Sequence, residues 1–328
     1  MNYQIKGGKP VNYQIKGKDV SARLIVLVAL VISITMTFWL AGVSHAVLKQ
    51  KTFSSPEEAV KTAVTAARNN DDKELIAIFG PSAKDLIFSG DAVADKQRRE
   101  RFLKLYDEKN SLVAGKNGMV LVIGKNDWPF PIPLAKKGDA WLFDTDKGRE
   151  EVLNRRIGEN ELDTVQACLA IVDAQREYAM MDLDGDGLPV YAEKFASDPG
   201  KKNGLYWETK EGEEPSPLGQ LFAKAKAEGY SKKGSKGNLV PYHGYYYRIL
   251  KAQGKNAPGG AYNYVVKGSM LGGFAVVAWP AKYGNSGVMT FIVNHDGIVY
   301  QKDLGPKTEV IAKKMKVFDP DTSWKKAE

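Results

Sequence analysis

Residues that usually carry chemistry are scarce in this chain. Its single cysteine, Cys168, excludes an intramolecular disulfide, so stability has to come from core burial. The three histidines, His45, His243 and His295, stand at no spacing that would gather a zinc ion. No serine sits in a Gly-x-Ser-x-Gly elbow, and no phosphate-binding glycine loop follows a strand pattern. Those two absences remove the commonest hydrolase and nucleotide-binding signatures. Long low-complexity tracts are missing too, and 43% of the residues are hydrophobic, so most of the chain is expected to fold. The expected exceptions are residues 47–52, the Lys/Gly/Ser stretch 231–238 and the last few residues.

A strong excess of one charge sign is also lacking. The net charge of +8 comes from 47 basic and 39 acidic residues, and it falls to +4 once the five cations and one anion of residues 1–46 are set aside. Such a balance excludes a nucleic-acid stripe. The basic clusters Gln97-Arg98-Arg99-Glu100-Arg101 and Lys313-Lys314 are interrupted by acids or lie on helical patterns, and they read as solvated helix faces.

What is present begins with an address. Residues 24–42 carry no charge; Lys6, Lys9, Lys16, Lys18 and Arg23 precede them, and Val43-Ser44-His45-Ala46 follows. Positive, apolar and small, in that order, is a secretory signal peptide over residues 1–46, cut after Ala46. The rival reading is an uncleaved membrane anchor of nearly bilayer-spanning length. Thr35, Thr37 and Gly42 dilute the hydrophobicity and favour cleavage. Asn2-Tyr3-Gln4-Ile5-Lys6-Gly7 recurs as Asn12-Tyr13-Gln14-Ile15-Lys16-Gly17, a duplication inside the signal that stands outside the fold.

The remainder reads as α+β in two units, an N-terminal domain over 47–160 and a C-terminal domain over 161–328. Ser54-Ser55-Pro56-Glu57-Glu58 starts a helix: either serine can cap, each with a glutamate three residues on. Ala59, Val60, Ala63, Val64 and Ala67 line one face of it. Helices over 71–79 and 91–110 and strands over 118–124, 128–134 and 140–145 follow. In the middle strand Pro129, Pro131 and Pro133 share one parity, so the missing N–H donors fall on one side and predict an edge strand. A charged helix over 147–157 closes the unit. In the second unit Leu162, Val165, Leu169 and Val172 predict a helix from about Glu161 to Met181, and a further helix is expected over 218–228. Strands follow over 242–250, 261–267, 272–279 and 288–293, the last turning through Asn294-His295-Asp296-Gly297 into 298–302. A long helix on an antiparallel meander has the layout of a pilin-like globular head, an analogy of fold alone.

One constellation has chemistry in it. Asp182-Leu183-Asp184-Gly185-Asp186-Gly187, then Glu193, fills every fixed position of the EF-hand calcium loop. Asp182, Asp184, Asp186 and Glu193 would supply carboxylates, and Leu188 its carbonyl, to one Ca2+ ion. Pro189 lacks the N–H by which such loops pair, and no second copy exists, so any site is solitary and of the weak extracellular type. The plain alternative is an Asp/Gly turn that ends the helix with solvated carboxylates.

Catalytic groups are harder to find. Cys168 with His243 would make a thiol dyad, but a cysteine beside Leu169 on a helix reads as a buried core residue. Carboxylate pairs for glycoside hydrolysis are distant in sequence, and nothing selects one. Tyr206, Trp207, Tyr242, Tyr245, Tyr246, Tyr247 and Trp279 read as strand and core residues, with an aromatic binding surface for glycan or peptide as the alternative.

The run Trp128-Pro129-Phe130-Pro131-Ile132-Pro133-Leu134, with Gly204-Leu205-Tyr206-Trp207, Ser216-Pro217-Leu218-Gly219, Tyr242-His243-Gly244-Tyr245-Tyr246 and Ser286-Gly287-Val288-Met289-Thr290-Phe291, resembles the exported bacterial family catalogued as domain of unknown function 2950. The resemblance implies a periplasmic or secreted envelope protein and no reaction. The expectation is therefore a non-enzymatic interaction or structural module with a calcium loop, its partner an envelope protein or glycan. A periplasmic hydrolase of glycan or peptide, with a carboxylate site, is the alternative.

Overall fold

Ser55 starts the first helix, α1 (Pro56–Arg68), as its spacing predicts: its hydroxyl accepts the Glu58 N–H at 3.1 Å, and Glu58 reaches back to the Ser54 N–H at 2.9 Å. The protein is described by a computed structural model over residues 49–116, 118–183, 185–230 and 240–327. The signal segment 1–46, the stretch 231–238 and loop residue Asp184 lie outside these described residues. Behind α1 come α2 (Asp72–Phe79), capped by Asp71, then a 3₁₀ turn, the short α3 (Lys84–Ile87), and α4 (Ala92–Glu108), capped by Asp91.

Five strands follow: β1 (Asn110–Gly115), β2 (Gly118–Ile123), β3 (Trp128–Pro129), β4 (Leu134–Lys137) and β5 (Ala140–Phe143). They form an antiparallel sheet of order β1-β2-β4-β5, with β3 also on β2. Two expectations need correction. Residues 110–115 are a strand, so the helix expected to reach Asn110 stops at Glu108. Residues 128–134 are not one edge strand either. Phe130 still donates to the Leu121 carbonyl at 2.8 Å, after which the chain bends through Pro131–Pro133, where donors are missing, and pairs again from Leu134.

α5 (Thr145–Met180) is one helix of 36 residues where two were expected, at 147–157 and from Glu161. At about 1.5 Å per residue it is roughly 54 Å long. Gly158 is a poor helix former, but the next turn is held from outside: Asn160 is buried and its side chain is bonded to Ser286 and Arg98. The expected boundary at 160/161 thus falls inside a helix. α1, α2 and the first sheet surround one hydrophobic cluster, which Val152 and Leu153 of α5 join. Cys168, Ile171, Val172 and Ala174, further along α5, join another. The described residues form one compact unit.

α6 (Gly219–Ala227) precedes the second set of strands. These are β6 (Tyr245–Leu250), β7 (Ala252–Gln253), β8 (Tyr262–Asn263), β9 (Val265–Val266), β10 (Ser269–Met270), β11 (Ala275–Pro280), β12 (Met289–Asn294) and β13 (Tyr300–Asp303). After them come α7 (Thr308–Lys314) and β14 (Lys325–Lys326). The larger sheet is antiparallel, of order β14-β13-β12-β11-β6, while β7 pairs with β8 and β9 with β10. All six residues of β11 are buried, because α5 and α7 both pack against it. The class is α+β. No helix among the described residues is long and apolar enough to cross a membrane.

Two glycines of α5 test this packing with opposite signs. A Cβ on Gly148 would stand 2.7 Å from Ile132 and from the Pro131 carbonyl, whereas one on Gly158 would meet nothing within 4 Å. Urea unfolding should show Gly148→Ala destabilised by about 1–3 kcal/mol through overpacking. Gly158→Ala should be stabilised by about 0.5–1 kcal/mol through helix propensity.

Candidate functional site

In the middle of α5 two adjacent polar residues, Asn160 and Glu161, reach the loop before β12. The Asn160 amide donates to the Ser286 carbonyl at 2.7 Å, and its oxygen accepts Arg98 at 2.6 Å. Glu161 accepts the N–H groups of Val288 at 2.8 Å and Met289 at 2.9 Å. Gly287 in that loop has to be glycine, since a Cβ would fall 2.0 Å from the Tyr245 hydroxyl.

Around this frame sits a cluster of titratable groups that the topology gathers from far apart. Asp91 is 1% exposed, yet its carboxylate accepts four hydrogen bonds. One oxygen takes the Val93 and Ala94 N–H groups as a helix cap, and the other takes the Tyr230 hydroxyl and the Gly244 N–H, each at 2.9 Å. Burial, followed by the charge of Asp91, pushes the Tyr230 phenol far above its usual range, so it remains a neutral donor.

Tyr242-His243-Gly244-Tyr245 is a tight hairpin turn, with His243 at φ 49° and Gly244 at φ 76° and Tyr242 and Tyr245 bonded to each other. Two left-handed central residues make it type I′, which is why the strand expected from Tyr242 begins at Tyr245. The turn carries the His243 ring between two carboxylates: Nδ1 lies 2.7 Å from Asp163 and Nε2 3.1 Å from Glu228. Burial pulls the imidazole pKa down. The hydrogen bond and charge of Asp163, with the charge of Glu228, outweigh it, and the net shift is upward. The His243 hydrogen bond lowers the pKa of Asp163 in return. Tyr242 packs edge-on against His243 at 4.2 Å and Tyr230 at 5.1 Å.

With both ring nitrogens engaged by carboxylates, His243 has none left to activate a nucleophile. Cys168 is fully buried, and burial pushes its thiol up to about 12. Most aromatics of this half are structural: Tyr245 and Trp279 are core residues, and Tyr206 stacks on Phe222 at 4.1 Å.

The acidic loop follows the end of α5. Asp182 has φ 43°, and both of its carboxylate oxygens accept the Gly187 N–H at 3.2 Å. Asp186 accepts the Leu188 N–H at 2.8 Å, and Leu188 is half exposed. Glu193 forms an ion pair with Lys251. The loop exit is anchored from within α5: fully buried Gln175 donates to the carbonyl of Ala192 and accepts its N–H, both at 2.8 Å. Asp184, at the third loop position, lies outside the described residues; among those described, no three His, Cys, Asp or Glu side chains gather as a metal cage. The sequence pattern points to this loop but not to the His243 cluster. The Asp91 to Gly244 bond spans 153 residues, and only the cap position of Asp91 and the His-Gly pair between tyrosines carried a local signal.

A family model described as "Protein of unknown function (DUF2950)" matches residues 50–327. No curated protein and no solved structure matches the chain.

Because the folded pKa of His243 is raised above its unfolded value of about 6.5, its stabilisation is fully present below that pH and is lost as pH rises through the folded value. His243→Asn tolerates the left-handed backbone and removes the charge. The melting-temperature gap between wild type and His243→Asn should therefore be widest near pH 6 and narrow steadily toward pH 9. A gap independent of pH would mean that the imidazole acts by packing alone.

Proposed function

The chain belongs to the DUF2950 family of proteins of unknown function, and on that premise we propose that it is an exported, non-enzymatic binding module of the cell envelope. Its long helix is finished by a calcium loop. The observation that carries the non-enzymatic reading is the place of His243. A glycosidase needs room between its carboxyl groups for a scissile bond and a water. Asp163 and Glu228 are brought into facing positions, but the space between them is filled by the His243 ring, which they hold from both sides. These carboxylates serve an internal cation.

Asp182, Asp184, Asp186, the Leu188 carbonyl and Glu193 would hold Ca2+, which takes six to eight hard oxygen ligands. Two features support the loop as its site. The Gly187 N–H on Asp182 sets the sharp turn at the loop's sixth position, and Gln175 fixes the far end of the loop to α5. Glu193 would have to exchange Lys251 for the ion, so calcium and this lysine compete. Residues 1–46 supply the route out of the cytoplasm, into a compartment where a weak calcium site is occupied. The partner is an envelope protein or glycan.

Millimolar calcium should raise the melting temperature of the purified protein, and Asp184→Ala should abolish the rise. Lys251→Met should enlarge the rise by freeing Glu193. A melting curve unmoved by calcium would remove the ion from this reading. The intact mass of the exported protein should correspond to a cut after Ala46.

A further inference from the structure

A cavity of about 240 Å³ lies among α1, α2, α4, the first sheet and the first turns of α5. Val64, Leu75, Phe79, Phe102 and Phe143 are among its largely apolar walls, and Asp95, Arg98, Arg99 and Arg156 also line it. Well-packed interiors hold few voids larger than a water molecule. An apolar cavity of about 150 Å³ already accepts benzene. This one has room for an alkyl chain.

The charges on its wall are unevenly answered. Arg99 donates to Asp72 at 2.7 Å and to Asn70 at 3.0 Å. Arg98 bonds Asn160 and stands 3.7 Å from Asp95 and 3.6 Å from Glu159, but its Nε and Nη1 have no hydrogen-bond partner. Arg156 is the exception. It is 5% exposed, and it donates only to neutral acceptors: the carbonyls of Asp85 and Leu86 and the side-chain oxygen of Asn285. Among the described residues no carboxylate lies within ion-pair distance of it, and its Nε is without a partner. Burial, then the like charge of Arg98, lowers its pKa to about 10 against the opposing charges of Asp95 and Asp85, so it stays charged at neutral pH. The charges of Asp95 and Asp85 reach it from beyond ion-pair distance, so an anion brought by a ligand would add the direct partner that it lacks.

We propose that this cavity binds a single-chain aliphatic carboxylate, its alkyl chain among the apolar walls and its head group on Arg156 and Arg98. Two oxygens match the few unpartnered N–H groups of the two guanidinium ions. A diacyl phospholipid asks for more volume than the cavity has. The inference is independent of the calcium loop and gives the module a ligand class of its own.

The full chain is titrated calorimetrically with decanoate, with decanol and inorganic phosphate as comparison probes. Decanoate should bind saturably at one site and raise the melting temperature. Loss of its charge-assisted bonds should make decanol weaker by about tenfold or more, and phosphate alone should not bind. Arg98→Gln should weaken decanoate by about tenfold while leaving decanol unchanged. Ala63→Leu, which fills the cavity from α1, should weaken both. Arg156→Gln should lose decanoate binding if it folds, and the Arg98 variant decides the matter if it does not. The proposal is overturned if wild type shows no saturable decanoate binding, if decanol or phosphate binds as tightly as decanoate, or if Ala63→Leu or Arg98→Gln binds decanoate like wild type.

Discussion

The middle of α5 has to satisfy two cores at once, and it does so with hydrogen bonds where most helices use hydrophobic contact. Asn160 and Glu161 reach a loop 126 to 128 residues later and take its backbone groups, Ser286 by its carbonyl and Val288 and Met289 by their N–H groups. Buried polar groups are expensive unless paired. Each pairing here therefore fixes a register: the loop cannot slide along the helix without leaving a buried donor or acceptor unmatched. The apolar faces on either side, Val152 and Leu153 toward the first sheet and Ile171 and Val172 toward β11 and β12, inherit that register.

Buried charge divides the molecule into frame and opening. Asp91 has four donors, and His243 has a carboxylate on each ring nitrogen. Both are complete within the chain and act as rivets between α4, α5 and the Tyr242–Tyr245 turn. Arg156 is also buried, but it donates only to neutral oxygens, no carboxylate among the described residues is within ion-pair distance of it, and a largely apolar cavity adjoins it. Where charge is answered from within, the residues hold shape; where it is not, the fold has left room for a ligand.

Legibility followed the range of the interaction. The Ser55 and Glu58 caps, the apolar face of α1 and the turn between β12 and β13 depend on neighbours within a few residues, and the pattern shows them. The expected break in α5 between 157 and 161 is overruled by remote contacts, because helix propensity is a difference of about 1 kcal/mol and the buried bonds of Asn160 exceed it. β1 was hidden because its side chains are mostly exposed and show no alternation. The three prolines correctly announced missing donors. They produced a bend between two short strands, since β2 was available to pair with both ends of the segment.

By itself the sequence determined the α+β class, the starts of α1, α2 and α4, the buried cysteine and the acidic loop with its glycines, all of which follow from periodicity, caps and spacing. The tertiary structure alone decided that α5 is continuous, that His243 stands between Asp163 and Glu228, and that Arg156 faces the core without a carboxylate. Those outcomes depend on which residues meet across 15 to 129 positions. Local patterns carry no record of such pairings, because their free energy comes from burial that exists only once both cores have closed.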